Sequence, residues 1–368
     1  MTAINLFQRR IHRRSVLQLA AGAAAVAGLT STAAAENPTV ETLVPNAIVS
    51  GPLRSIVEKD AGVTINDAPF QSTPDSISRL LASGGTARYN VILAIIDFAR
   101  QPVLGPRAGA EKALELDLTK IPNAKKIADI FKKDTIERDG KTYGLPLFMG
   151  YNTVFFNYDQ VPENDPYTQS WGALFEDKYA GKIGWFESPH QMMFAAALYL
   201  GHDKPSSMSD AEVRDVGKFM ISKKKNVRTI WTSFAQCANL FATGEIVVSF
   251  GPIPVRAQLE EQGVHVTNAW VKEGVESLVA TVFSGKDVAN PDKSHAVINA
   301  MLSDAYAKEL PKVSGYLSSS AAGGEGMTEE QKLKAGFGIY TGQTKHHPMP
   351  LPANLNTWVE AWSAVKSA

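Results

Sequence analysis

Val91-Ile92-Leu93-Ala94-Ile95-Ile96 is an unbroken apolar run of strand length, and it decides the fold class. A strand with one face in water alternates apolar and polar residues. A run without polar breaks has both faces covered, as in a parallel sheet between layers of helices. The flanks agree. Thr73-Pro74 opens a helix with Ile77, Leu80 and Leu81 turned inward, and Gly84-Gly85 ends it before the run. Upstream, Thr39 to Val44 reads as a strand, and Pro52 starts a helix whose Leu53, Ile56 and Val57 share one face, stopped by Gly62. Downstream, Asp139-Gly140 marks a hairpin turn, and a new strand is expected from Thr153 to Tyr158 as the start of a second lobe. Ser188-Pro189 begins a helix to Leu200, and Ser209 and Glu212 are spaced as a capping box. Glu245 to Phe250 repeats the buried-strand pattern, and a helix from Ile253 to Gln262 stops at Gly263. Trp358, Val359, Trp362 and Val365 fall on one helical face, while Ser318 to Gly326 reads as a mobile loop or connection. Strands alternating with capped helices imply an α/β protein.

The first 35 residues read as an export signal. Arg9, Arg10, Arg13 and Arg14 form a basic head, Val16 to Thr30 an Ala/Gly-rich apolar stretch too short to span a bilayer, and Ala33-Ala34-Ala35 a cleavage site. His12-Arg13-Arg14-Ser15-Val16-Leu17-Gln18 resembles the twin-arginine export motif, which places the mature protein in the periplasm. The whole chain carries 37 basic and 37 acidic residues, so loss of the four arginines leaves a mildly acidic product. That balance gives no electrostatic footprint for nucleic acid or anionic membrane. Cys237 is the only cysteine, which excludes an intramolecular disulfide. Its neighbours Ala235, Ala238, Leu240 and Phe241 make it a buried, inert thiol.

Motifs for catalysis are missing. The sequence has no G-x-S-x-G, no P-loop, no G-x-G-x-x-G after a strand and no H-E-x-x-H, and it implies no cofactor and no metal. His346-His347 stands in a Pro-rich stretch and reads as a solvated pair. Lys223-Lys224-Lys225 closes a helix, where cations complement the dipole. In open α/β sheets, ligands bind beyond the carboxyl ends of the strands. The candidate positions are therefore Pro45-Asn46, Asp97-Phe98, Glu187-Ser188 and Gly251-Pro252.

Four stretches carry a resemblance. They are Tyr143 to Tyr158 (YGLPLFMGYNTVFFNY), Ser170 to Ile183 (SWGALFEDKYAGKI), Leu240 to Val247 (LFATGEIV), and Trp270 to Gly274 (WVKEG) with a later Gly315-Tyr316. Their order and spacing resemble the bacterial periplasmic solute-binding proteins of ABC importers, in particular the spermidine/putrescine-binding branch with the type II fold. The resemblance implies two α/β lobes joined by crossing strands near Leu147 to Asn152 and Trp270 to Leu278. Lobe 1 would comprise 36–149 and 278–320, and lobe 2 would comprise 150–277 and 321–368. It also implies a small-molecule ligand in the cleft, an inner-membrane ABC permease as partner, and a monomer.

Polyamine binders of this family hold ammonium groups on carboxylates. The resemblance places Ser188, Gln191, Leu278 and Ala280 at positions where two acids, a tryptophan and a third acid would stand. The expected ligand is therefore a smaller or less cationic metabolite, an amine or amino acid derivative, with a polyamine as the alternative. Asp97 could hold an ammonium, and Ser188 begins a helix whose N–H groups could hold a carboxylate. Trp231 and Phe250 are candidate walls, Arg256 a candidate anion clamp, and Glu187, Asn46, Tyr151 and Asn152 further candidates near the cleft or hinge. An exported hydrolase or lyase is the competing class, and it would need a positioned nucleophile and base in one cleft.

Overall fold

A computed structural model describes residues 37–162 and 164–368. The expected export signal lies outside them. The strands are β1 (Thr39–Leu43), β2 (Thr64–Asp67), β3 (Val91–Ile95), β4 (Ile136–Arg138), β5 (Lys141–Asn157), β6 (Ile183–Phe186), β7 (Val227–Trp231), β8 (Val248–Pro252), β9 (Val266–Asn268), β10 (Val275–Phe283), β11 (Leu317–Ser318) and β12 (His346–Pro348).

The sheet order is β2-β1-β3-β10-β5-β8-β6-β7. At one end β1 pairs in parallel with β2 and β3, and at the other β6 pairs in parallel with β7 and β8. Between these parallel wings lie β10 and β5, antiparallel to each other and to their neighbours β3 and β8. β5 is the joining element. Its first half pairs with β10 through Leu145 to Asn152, and its second half pairs with β8 through Asn152 to Phe156.

The apolar run at 91–95 is a strand with four of its five residues buried, as its lack of polar breaks requires. Gly62, in the left-handed region at φ 60°, caps the helix Gly51–Ala61. Ser209 and Glu212 form the capping box. Asp139 and Gly140, both at positive φ, make the tight turn between β4 and β5.

Several expectations need correction. The strand expected to begin at Thr153 is the far half of one 17-residue strand. Pro146 does not interrupt it, because the pairing register with β10 shifts between Ala280 and Thr281, beside the proline that lacks an N–H. The strand expected at Glu245 starts at Val248, since the Ile246 N–H is held by the Leu240 carbonyl of the preceding helix. Ser318 to Gly326 is no loose loop. β11 pairs with β5, the Ser319 N–H bonds the Leu147 carbonyl at 2.8 Å, and a 3₁₀ turn follows at Ala321–Gly324. His346 and His347 form the strand β12 on β10 and are half-buried. In the last helix Trp358, Trp362 and Val365 are buried, but Val359 is exposed.

Packing is close where β8 runs beside β5. A Cβ on Gly251 would overlap the ring of Phe155, a buried side chain with no room to withdraw. Gly251→Ala is expected to cost about 1–3 kcal/mol through overpacking. A denaturant midpoint unchanged from the parent would refute that reading.

Candidate functional site

The two crossing strands present two faces. By register and alternation, Phe148, Gly150 and Asn152 share a face with Ala280, Leu278 and Glu276, while Met149 and Tyr151 share the other with Val279 and Ser277. On the first face Tyr316 stacks on Phe148 at 4.2 Å, and both Tyr316 and Leu278 close over Gly150, where no Cβ stands in the way. Beside them Asn152 donates to Glu276 Oε2 at 3.0 Å. Glu276 is fully buried, and its Oε1 has no partner. Burial drives its pKa well above the usual carboxylate value, only partly offset by Asn152 and a backbone hydrogen bond from Ala195.

On the second face two small cavities of about 50 Å³ each border the strands. One is lined by Tyr151, Ile253, Arg256 and Lys312 among others. The second is lined by Asp97, Lys133, Asp134, Met149, Ser277 and His346 among others. Asp97 reaches solvent, yet the crowding of surrounding protein raises its pKa. Asp134 adds to the rise, and Arg100 opposes it. Burial likewise raises the pKa of Asp134. Burial lowers that of His346, with Lys133 and His347 contributing.

The expected site residues separate into groups. Tyr151 and Arg256 meet at one cavity, Asp97 stands at the other, and Asn152 pairs with Glu276. Asn46 is exposed at the start of a 3₁₀ turn after β1. Ser188 caps the helix Pro189–Tyr199, its hydroxyl accepting from the Gln191 N–H. Glu187 turns away to the last helix, where its Oε1 accepts from Trp362 Nε1 at 3.0 Å and Lys366 Nζ at 2.6 Å.

Trp231 and Phe250 lie inside the aromatic packing. Both are fully buried and line no space that water can reach, because Trp231 Nε1 is taken inside by Ser249 at 2.9 Å and Phe250 lies between Trp171 and Phe186. Phe186 is the half-buried member of this stack, 4.3 Å from Trp231. Sequence reasoning missed it, although it directly precedes Glu187 at a strand end. It also missed Glu276, whose signal is a lone acid in the apolar stretch Val275 to Val279.

One contact bears on catalysis. Ser277 Oγ lies 2.8 Å from His346 Nδ1. Ser277 is 2% exposed in the middle of a paired strand, and it stands with His346 on the wall of the cavity that contains Asp97. Cys237 is fully buried, its thiol pushed up to about 12 by burial, and cannot serve as a nucleophile. Among the described residues no cluster of three metal-ligating side chains occurs, and no helix is long and apolar enough to cross a membrane.

Parallel wings are joined by antiparallel crossing strands, and two cavities lie at the crossing. Residues 55–328 match the model of the bacterial extracellular solute-binding protein family, and the chain belongs to that family. No curated protein matches it in sequence. Solved structures with the same fold include the TpPotD lipoprotein of Treponema pallidum (TM-score 0.70, 18% identity, covering 89% of this chain and 98% of that one). A spermidine/putrescine ABC transporter substrate-binding protein from Streptococcus pneumoniae is similar (TM-score 0.70, 15% identity, 90% and 99%). So is a binding protein of A. tumefaciens in complex with agropinic acid (TM-score 0.59, 14% identity, 90% and 96%). The fold is that of two-lobed periplasmic binding proteins, and the family makes the chain a bacterial extracellular solute-binding protein.

Proposed function

We propose that this subunit works in the periplasm after twin-arginine export, as a monomer. In this reading it captures a small polar metabolite with no more than one ammonium group and delivers it to an inner-membrane ABC permease without altering it. The lobes are assigned as 36–149 with 278–320, and 150–277 with 321–368. Both cavities at the crossing are far smaller than the few hundred Å³ of ordinary ligand sites. Entry of a metabolite therefore requires the lobes to part about the β5 and β10 crossing, and its capture draws them together.

The observation that carries the ligand class is the distribution of carboxylates. Ala280 is buried, Ser188 is a helix cap, and Leu278 faces Gly150. Glu276 is engaged with Asn152, and Glu187 with Trp362 and Lys366. Among the described residues, the acidic groups that line a cavity at the crossing are Asp97 and Asp134, which stand in the same one. One such place suits one ammonium, and a polyamine needs at least two.

A thermal-shift screen of amines, amino acids, opines and polyamines tests this, with the ligand recovered unchanged. Asp97→Asn is expected to weaken the best amine about tenfold or more, the loss of one charge-assisted hydrogen bond. Micromolar binding of spermidine or putrescine would overturn the ligand class, and conversion of the bound compound would overturn the transport role.

A further inference from the structure

Where β5 passes from one wing to the other, Tyr151 carries a phenol that is 1% exposed and whose oxygen has no hydrogen-bond partner. Leaving such a group unsatisfied is costly, and native structures rarely do so without a ligand or water to complete it. The residue borders the cavity between the start of the helix Ile253–Glu261 and the end of the helix Asp304–Ser314. Arg256 and Lys312 stand in the wall, and no acidic side chain among the described residues lines it. Arg256 is fixed in place, its Nη1 donating to Asn268 Oδ1 at 2.7 Å and to the Lys334 carbonyl at 3.4 Å. Lys312 is steered by Glu309 at 3.0 Å, one turn back on its own helix. The first turn of the helix Ile253–Glu261 adds backbone N–H groups that lack partners within the helix.

Among the described residues, every polar side chain in this wall is cationic or can donate, which selects for an anion. The space of about 50 Å³ has room for a carboxylate group rather than a whole metabolite. Met149, two residues before Tyr151 on the same face and hence about 7 Å away, borders the cavity that contains Asp97. The crossing strands thus set a place for positive charge near a place for negative charge.

We propose that the cavity at Tyr151 receives the carboxylate end of the solute, with Tyr151 Oη donating to it and Arg256 and Lys312 supplying the positive charge. This rests on the solute-binding reading above, and makes the solute a zwitterion whose amine and carboxylate are separated by a short chain.

The test uses formate as the smallest carboxylate and formamide as its neutral counterpart of the same shape. Unfolding temperature is followed at constant ionic strength, held with the bulky anion MOPS. The parent protein is expected to show a saturable rise with formate and none with formamide. Tyr151→Phe should raise the half-saturating formate concentration at least fivefold. Lys312→Ala, at an exposed residue whose loss does not threaten folding, should raise it at least threefold and keeps the test decisive should the Phe variant fold poorly. Equal responses to formate and formamide, no response to formate, or parent-like saturation in the folded variants would each overturn the proposal. Failure of the transport reading looks different: formate would still bind at Tyr151, but no metabolite in the screen would stabilise the protein.

Discussion

Replacing Trp171 by alanine is expected to lower the unfolding temperature by on the order of 10 °C, the largest effect of any single side chain considered. Trp171 is fully buried, stacks on Phe250 at 5.8 Å, and donates from Nε1 to the Gly274 carbonyl at 2.9 Å. Beside it, Glu273 accepts from Ser170 Oγ at 2.5 Å and from the Trp171 N–H at 3.2 Å. The indole therefore ties the segment that leads into β10 to the aromatic layer under β8. Its loss removes about 3–5 kcal/mol of packing and leaves the Gly274 carbonyl without that partner. Trp171→Phe keeps most of the ring and should cost much less. A drop below about 3 °C for the alanine variant would mean that the segment is held by other contacts.

The second large effect is a pH dependence centred on Glu276. In the folded chain its carboxyl is desolvated and keeps its proton well above the usual carboxylate range. In the unfolded chain it ionises near the ordinary value of about 4.3. Between the two values the folded state binds more protons, so stability is lost as pH rises through that interval. Glu276→Gln removes the titration and leaves an amide oxygen to accept from Asn152. The variant is expected to gain on the parent in unfolding temperature as pH rises above the ordinary carboxylate range, whereas Glu276→Ala should lie about 1–3 kcal/mol below the Gln variant at every pH because Asn152 loses its acceptor. A difference between the Gln variant and the parent that stays flat as pH rises above the carboxylate range would show that Glu276 is ionised in the folded state.

The fold was legible where local chemistry dictates backbone shape. The apolar run at Val91 to Ile95, the turn at Asp139-Gly140, the Gly62 cap and the Ser209/Glu212 box each declare themselves within a few residues. The length of β5 did not, because Gly144, Pro146 and Gly150 weaken its strand pattern, and only its partners hold it extended. Asp97 and Ser188 lie just past strand ends, where the sequence reading put them. A position was obscured wherever a side chain's role depends on a distant partner. Trp231 belongs to the core because Ser249 receives its N–H, and Glu187 is drawn to Trp362 and Lys366 far along the chain. Neither pairing leaves a local mark.

The position of β10 has a consequence for biosynthesis. This strand comes late in the chain yet lies between β3 and β5, joining the earliest parallel strands to the rest. Until residues 275–283 have left the ribosome, the facing edges of β3 and β5 cannot be bridged, and the amino-terminal wing has no finished sheet. Completion of the central sheet is thus postponed until most of the polypeptide has been made.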